Sequence, residues 1–181
     1  WGYGLRNPWR FDLDAQSNQL FLSDVGQFSR EEVTVTSLSA GGGDNYGWKV
    51  MEGLSCFDPD PVDPDCPMST PSCFDPAYTN PQIEYDHSAG ECSVTGGVVY
   101  RGDGIAQLRG HYLFGDWCTG RLWSADVATG LQPEQLSISL AAVQAFGRDH
   151  LGEVYLTQGT TVYRLSVVDD VFSDSFGDAS Q

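Results

Sequence analysis

Arg6-Asn7-Pro8 is the first stretch of this chain whose side chains could do chemistry. A guanidinium carries five N–H donors in a rigid fork suited to carboxylate or quinone oxygens, and an adjacent asparagine adds both a donor and an acceptor. The plainer alternative pairs Arg6 with a carboxylate across a sheet boundary and leaves Pro8 to shape a turn. A second candidate is Asp24-Val25-Gly26-Gln27, closely followed by Glu31 and Glu32. Calcium is held by oxygens, many of them loop carbonyls, with carboxylates to balance its charge. Here the alternative is a set of solvated turn acids.

His87, in Glu84-Tyr85-Asp86-His87-Ser88, has the residue type and acidic neighbours of a general base. The competing reading is a histidine satisfied within its own loop; His111 and His150 read as surface turn residues. Asn45-Tyr46-Gly47-Trp48 sets aromatics on both sides of a glycine. That pattern favours packing at a sheet edge where only glycine fits, with sugar stacking on Trp48 as the second option. Gly41-Gly42-Gly43 lacks the lysine, hydroxyl and following helix of a phosphate loop.

These residues must be held by something, and a chain of 181 residues with 40% hydrophobic and 12% aromatic content can bury the core of one domain. Twenty-one glycines and nine prolines point to many tight turns rather than long helices. Phe11-x-x-Asp14 followed by Leu20-Phe21-Leu22 is echoed by Phe146-x-x-Asp149 followed by Val154-Tyr155-Leu156. A degenerate third copy runs from Tyr112-Leu113-Phe114-Gly115-Asp116 to residues 121–127. Further strands are expected at 32–37, 97–101 and 161–168, while 133–143 reads equally well as helix or strand. Recurring hairpins at spacings of tens of residues make the fold all-β and favour a β-propeller of about three blades.

A charge of −16, from 25 acidic against 9 basic side chains with Lys49 the only lysine, argues against nucleic acid or an anionic membrane surface as partner. No apolar run approaches the roughly 18 residues of a membrane helix. The cysteines at 56, 66, 73, 92 and 118 include no Cys-x-x-Cys pair, and their wide spacing fits disulfides of an exported protein better than zinc. Two of Cys56, Cys66 and Cys73 are expected to staple the Cys/Pro/Asp-rich loop 54–82. The remaining cysteine is either free or paired outside this chain. Beginning at Trp1 with no export signal, the sequence reads as a fragment or processed product. Its acidic, Phe-containing end, 168–181, reads as a flexible tail.

Five motifs together carry a family resemblance: Gly4-Leu5-Arg6-Asn7-Pro8-Trp9-Arg10, Asp24-Val25-Gly26-Gln27, Asn45-Tyr46-Gly47-Trp48, Cys92-Ser93-Val94-Thr95-Gly96-Gly97 and residues 112–123. The chain resembles the glucose/sorbosone dehydrogenases, soluble quinone-dependent sugar dehydrogenases, over roughly residues 2–165. The match falls on the C-terminal half of that family's six-bladed propeller. The resemblance therefore implies that 1–167 form half a ring, with an N-terminal half missing or a face-to-face dimer replacing it. It implies a pyrroloquinoline quinone (PQQ) cofactor contacted by Arg6 and Asn7, with Arg6 stabilising charge during catalysis. It also implies a calcium ion on the backbone carbonyls of Gly26 and Gln27 with Glu31 nearby, a sugar oxidised at C1, and a secreted or periplasmic location. Cys92 and Cys118 are expected in neighbouring segments.

The chain departs from the enzyme pattern at several points. Many members have proline where Gln27 stands. A lysine is replaced by Cys118-Thr119, and two arginines by Ala142 and Gln144, which removes cations that offset the cofactor's carboxylates. The family's catalytic histidine lies upstream of this chain. The cysteine-bearing segment Glu84 to Arg101 and the lost cofactor cations resemble the hedgehog-interacting-protein-like branch, whose members are known chiefly as binding modules. The alternative function is accordingly a non-catalytic exported propeller that binds carbohydrate or protein.

Overall fold

Strand pairing in this chain follows its local hairpins. The computed structural model describes residues 1–57 and 73–167; Cys66, most of the 54–82 loop and the 168–181 tail lie outside them. In chain order the strands are β1 (Gly2–Tyr3), β2 (Pro8–Asp14), β3 (Gln19–Asp24), β4 (Arg30–Ser37), β5 (Asp44–Asn45), β6 (Met51–Glu52), β7 (Ser55–Cys56) and β8 (Ile83–Asp86). They continue with β9 (Val94–Val99), β10 (His111–Asp116), β11 (Arg121–Asp126), β12 (Pro133–Ser139), β13 (Val143–Arg148), β14 (Val154–Gln158) and β15 (Thr161–Arg164). The described residues contain no α-helix, only a 3-10 turn at Ala106–Leu108. No helix among them is long and apolar enough to cross a membrane.

Three antiparallel sheets dominate, in the orders β2-β3-β4-β8, β9-β10-β11-β12 and β13-β14-β15. Their first strands pack side by side, β2 against β9 and β9 against β13. Charge reinforces that convergence. Arg148 of β13 donates to Asp12 of β2 (2.7 Å) and to the Val99 carbonyl of β9 (2.9 Å), while Arg101 donates to Asp14 (Nε, 3.0 Å). Burial raises the Asp14 carboxyl, but the bonds from Arg101 and Ser17 outweigh it and hold the group at about 2.

Side-chain alternation sends Phe21, Val33, Val94, Val99, Tyr112 and Phe114 into one core between the first two sheets, and Tyr100, Leu113, Leu122, Val154 and Leu156 into another toward the third. Phe21 and Tyr112 stack at 4.6 Å across the first boundary. Gly97 permits the close approach of β9 and β10, since a Cβ there would lie 1.6 Å from the Leu113 carbonyl oxygen.

The outer faces of the array are uncovered. Trp9, Phe11 and Leu13 on β2 are exposed, as are Val162 and Tyr163 on β15.

Both full copies of the sequence repeat are first-and-second strands of a sheet, β2–β3 and β13–β14, whereas the third copy is β10–β11, the second and third strands of its sheet. That copy is out of phase because β9, rich in glycine and valine, is the inner strand. Residues 133–143 resolve as strand β12, a turn at 140–142, and the start of β13. Disulfides join Cys56 to Cys73 and Cys92 to Cys118.

Candidate functional site

Arg6 and Asn7 lie in the link between β1 and β2, at the end of the β2–β3 hairpin where β3 finishes in Asp24. That carboxylate organises the link: Oδ2 accepts from the Arg6 backbone N–H (2.8 Å) and Oδ1 from that of Asn7 (2.6 Å). The Asn7 carbonyl accepts from Val25 N–H (3.1 Å). Asp24 is therefore a structural cap, and burial pushes its carboxyl up despite those N–H groups.

The Arg6 side chain reaches across to the following turn. Nε donates to Gln27 Oε1 (2.8 Å), Nη2 donates to the same oxygen, and Nη1 donates to the Val25 carbonyl (2.9 Å). Its guanidinium carbon lies 5.7 Å from the ring centroid of Trp48, within cation–π range. Three of the five donors are thus committed, and one N–H on each terminal nitrogen remains for a ligand. The exposed Asn7 carboxamide makes no hydrogen bond among the described residues.

Turn 26–30 is wound around one carboxylate. Glu52 Oε1 accepts from the backbone N–H groups of Gln27 (2.7 Å), Phe28 (2.8 Å), Ser29 (3.1 Å) and Arg30 (3.3 Å). Burial raises this carboxyl, but those N–H groups outweigh it and hold it below the ordinary range. Gly26 is required at the turn's start because a Cβ would lie 1.6 Å from the Arg30 carbonyl oxygen. With the N–H groups drawn toward Glu52, the carbonyls of Gly26 and Gln27 accept no hydrogen bond among the described residues. Two bare carbonyls in succession suit a hard cation.

Glu31 lies beside the start of this turn, its carboxylate interacting with the backbone of Gly26. Fully buried, it receives His87 Nε2 at Oε1 (2.9 Å) and Val94 N–H at Oε2 (2.8 Å), tying the first sheet to the second. Burial pushes its carboxyl up. Each oxygen accepts one of these bonds, the backbone of Gly26 interacts with the same carboxylate, and His87 is satisfied by its bond to Oε1. Glu32, on the opposite strand face, accepts from Gly53 N–H (2.5 Å). Burial, with Asp24, Glu84 and Glu52 adding like charge, moves its pKa to about 8.

Arg6, Asn7, Gly26 and Gln27 are therefore together, and the Glu31 carboxylate reaches the backbone of Gly26 while tying the first sheet to the second. Glu52 carries no sequence motif and announces itself only through its four donors. His111 is half-buried with Nδ1 shielded and unpartnered among the described residues, contrary to its surface assignment, while His150 is exposed. Trp48 packs on Phe57 (4.6 Å) as well as under Arg6. No group of three or more His, Cys, Asp or Glu side chains among the described residues is arranged to hold a metal. The positions of the absent cations are otherwise employed, Thr119 donating to Asp116 Oδ1 through N–H (2.8 Å) and Gln144 lying exposed.

The family described as glucose/sorbosone dehydrogenase matches residues 1–160. HIPL1 protein of Arabidopsis thaliana is 30% identical over 191 aligned positions, covering 91% of this chain and 27% of the relative; HIPL2 protein of the same plant is 29% identical with the same coverage. The chain thus spans about a quarter of these relatives' length. Among solved structures, it shares its fold with the PQQ-bound aldose sugar dehydrogenase of Streptomyces coelicolor (TM-score 0.60, 18% identity, 86% of this chain and 38% of that one). It likewise matches the apo soluble aldose sugar dehydrogenase of Escherichia coli (TM-score 0.62, 18% identity, 86% and 42%).

Proposed function

Because the chain belongs to the glucose/sorbosone dehydrogenase family, we propose that it is the C-terminal portion of an exported sugar dehydrogenase-like β-propeller, its three large sheets serving as blades of a six-bladed ring. Arg6 and Asn7 would hold PQQ, and the carbonyls of Gly26 and Gln27 would hold calcium. The bound quinone would accept two electrons from C1 of an aldose, and the cation would polarise it. One observation carries this reading: the Arg6 guanidinium and the 25–27 turn meet at one end of the same hairpin.

What these residues contribute is orientation and charge. Asp24 fixes the backbone of Arg6 and Asn7, Trp48 supports the guanidinium, and Glu52 turns the N–H groups of 27–30 away from the carbonyls that face a cation. The two uncommitted N–H groups of Arg6 and the Asn7 amide fit a pair of adjacent oxygens. The base is not part of this corner, since His87 is engaged by Glu31, and the missing N-terminal half would supply it. The uncovered apolar faces of β2 and β15 support the same half-ring reading.

A second reading, a non-catalytic binder of carbohydrate or protein, is favoured by the Gln27 oxygen that occupies one edge of Arg6 and by Ala142 and Gln144 where cations would neutralise the cofactor. The deciding experiment adds PQQ and calcium to the full-length protein and follows dye reduction with aldoses, beside Arg6→Ala. Turnover lost in Arg6→Ala supports the dehydrogenase; no cofactor uptake at any concentration supports the binder.

A further inference from the structure

Between the outer strands of the first two large sheets lies an open cleft of about 380 Å³, within the size range of small-ligand sites. Arg30 and Tyr85 line it from the first sheet and Arg121, Trp123 and Gln135 from the second, with Glu91 at one end. Its lining shares no side chain with the Arg6 corner.

Three observations describe what it would take. First, Glu91 is only 7% exposed, its Oε1 is held by Arg121, and its shielded Oε2 has no hydrogen-bond partner among the described residues. A buried carboxylate oxygen without a donor is costly, and a ligand hydroxyl donating to it would remove that cost. Second, Trp123 and Tyr85 form an aromatic wall, their ring centroids 5.1 Å apart, backed by Phe114 at 5.3 Å from Trp123. Such a surface accepts the apolar C–H face of a saturated ring. Third, the charges are already balanced locally. Arg30 sits 3.9 Å from Glu84 and 3.6 Å from Asp86, and Arg121 is paired with Glu91. An anion meets no free guanidinium there, and a divalent cation would have to displace one. A neutral polyhydroxylated ring meets neither obstacle, because each hydroxyl both donates and accepts.

We propose that this cleft is a binding site for a neutral saccharide, one pyranose face on the Trp123–Tyr85 wall and one hydroxyl donating to Glu91 Oε2, with the exposed Gln135 carboxamide as a further contact. The Cys92–Cys118 disulfide, which begins one residue after Glu91, holds this end of the cleft in place before binding. The site is independent of the quinone reading.

The test titrates the chain, with quinone and calcium omitted, against cellotriose, xylotriose and maltotriose by calorimetry and ligand-observed NMR. Trigalacturonate and calcium chloride alone serve as anionic and cationic probes. The expected result is saturable binding of at least one neutral trisaccharide, weakened about tenfold by Glu91→Gln and abolished by Trp123→Ala. Trp123 is backed by the core, so if Trp123→Ala fails to fold, Glu91→Gln and the surface change Gln135→Ala carry the test, the latter costing about threefold. Absence of saturable binding to all three neutral trisaccharides would overturn the proposal. So would undiminished binding by both Glu91→Gln and Gln135→Ala, or a preference for the uronate or calcium.

Discussion

The side-chain oxygen of Gln27 sits 2.8 Å from Nε of Arg6 and also accepts from Nη2, so a single amide closes one edge of the guanidinium. The proline that many related enzymes carry at this position offers no such acceptor. Gln27→Ala is expected to free that edge and tighten PQQ binding to the calcium-loaded full-length protein about fivefold, read by cofactor titration. Gln27→Pro should gain less, because it also deletes the N–H that donates to Glu52 (2.7 Å). Unchanged affinity in Gln27→Ala would mean that Arg6 does not contact the cofactor.

Glu52→Ala leaves four consecutive N–H groups of turn 27–30 without their acceptor. A loss of about 2–4 kcal/mol in urea unfolding is expected. The native Glu52 carboxyl is held below its ordinary value, so its contribution is present above the unfolded pKa and lost as pH falls through the folded one. The stability gap between wild type and variant should therefore narrow in acid.

Glu32 titrates the opposite way. Its folded pKa of about 8 lies above the ordinary 4.5, so between those values the folded chain keeps a proton that the unfolded chain releases. The stability this provides is complete below about 4.5 and disappears as pH rises through 8. Glu32→Gln needs no proton and keeps a carbonyl for Gly53 N–H. Calorimetry across pH should find the variant close to wild type at pH 4 and on the order of 1–2 kcal/mol more stable at pH 8 and above. Parallel profiles would contradict this.

Cys118→Ser removes a cross-link spanning 26 residues. Loop-closure entropy predicts a loss of about 3–4 kcal/mol, measurable as a lower urea midpoint that reducing agent lowers no further through this bond.

The exposed Trp9, Phe11 and Leu13 of β2 and the exposed Val162 and Tyr163 of β15 should make residues 1–181 self-associate. Sedimentation velocity is expected to show concentration-dependent dimers, and Phe11→Lys to shift the population toward monomer. A monodisperse, cooperatively melting wild-type monomer would count against the half-ring assignment.

Much of this was written locally. The pairs 11–14 with 20–22 and 146–149 with 154–156 could be read as hairpins because each strand meets its neighbour within a short turn, and alternation assigns their faces. Arg6, Asn7, Gly26 and Gln27 were legible as a group because their motif spacing spans one such hairpin. The out-of-phase third copy was not, since Val94–Val99 lacks the aromatic marker that flagged the other inner strands. Residues 133–143 stayed ambiguous until β11 supplied hydrogen-bond partners for a strand and Trp117 and Gly120 supplied carbonyls for the turn.

Sequence alone determined the all-β hairpin architecture, the family and the residues gathered at the end of the first hairpin, because those depend on side-chain period and short-range spacing. Tertiary structure decided what the carboxylates do. Glu31 turned toward His87 and Val94, 56 and 63 residues away, and Glu52 toward the turn at 27–30, more than 20 residues before it. A buried charge goes to whichever N–H groups the packed sheets bring within reach, and only the folded chain fixes where those are.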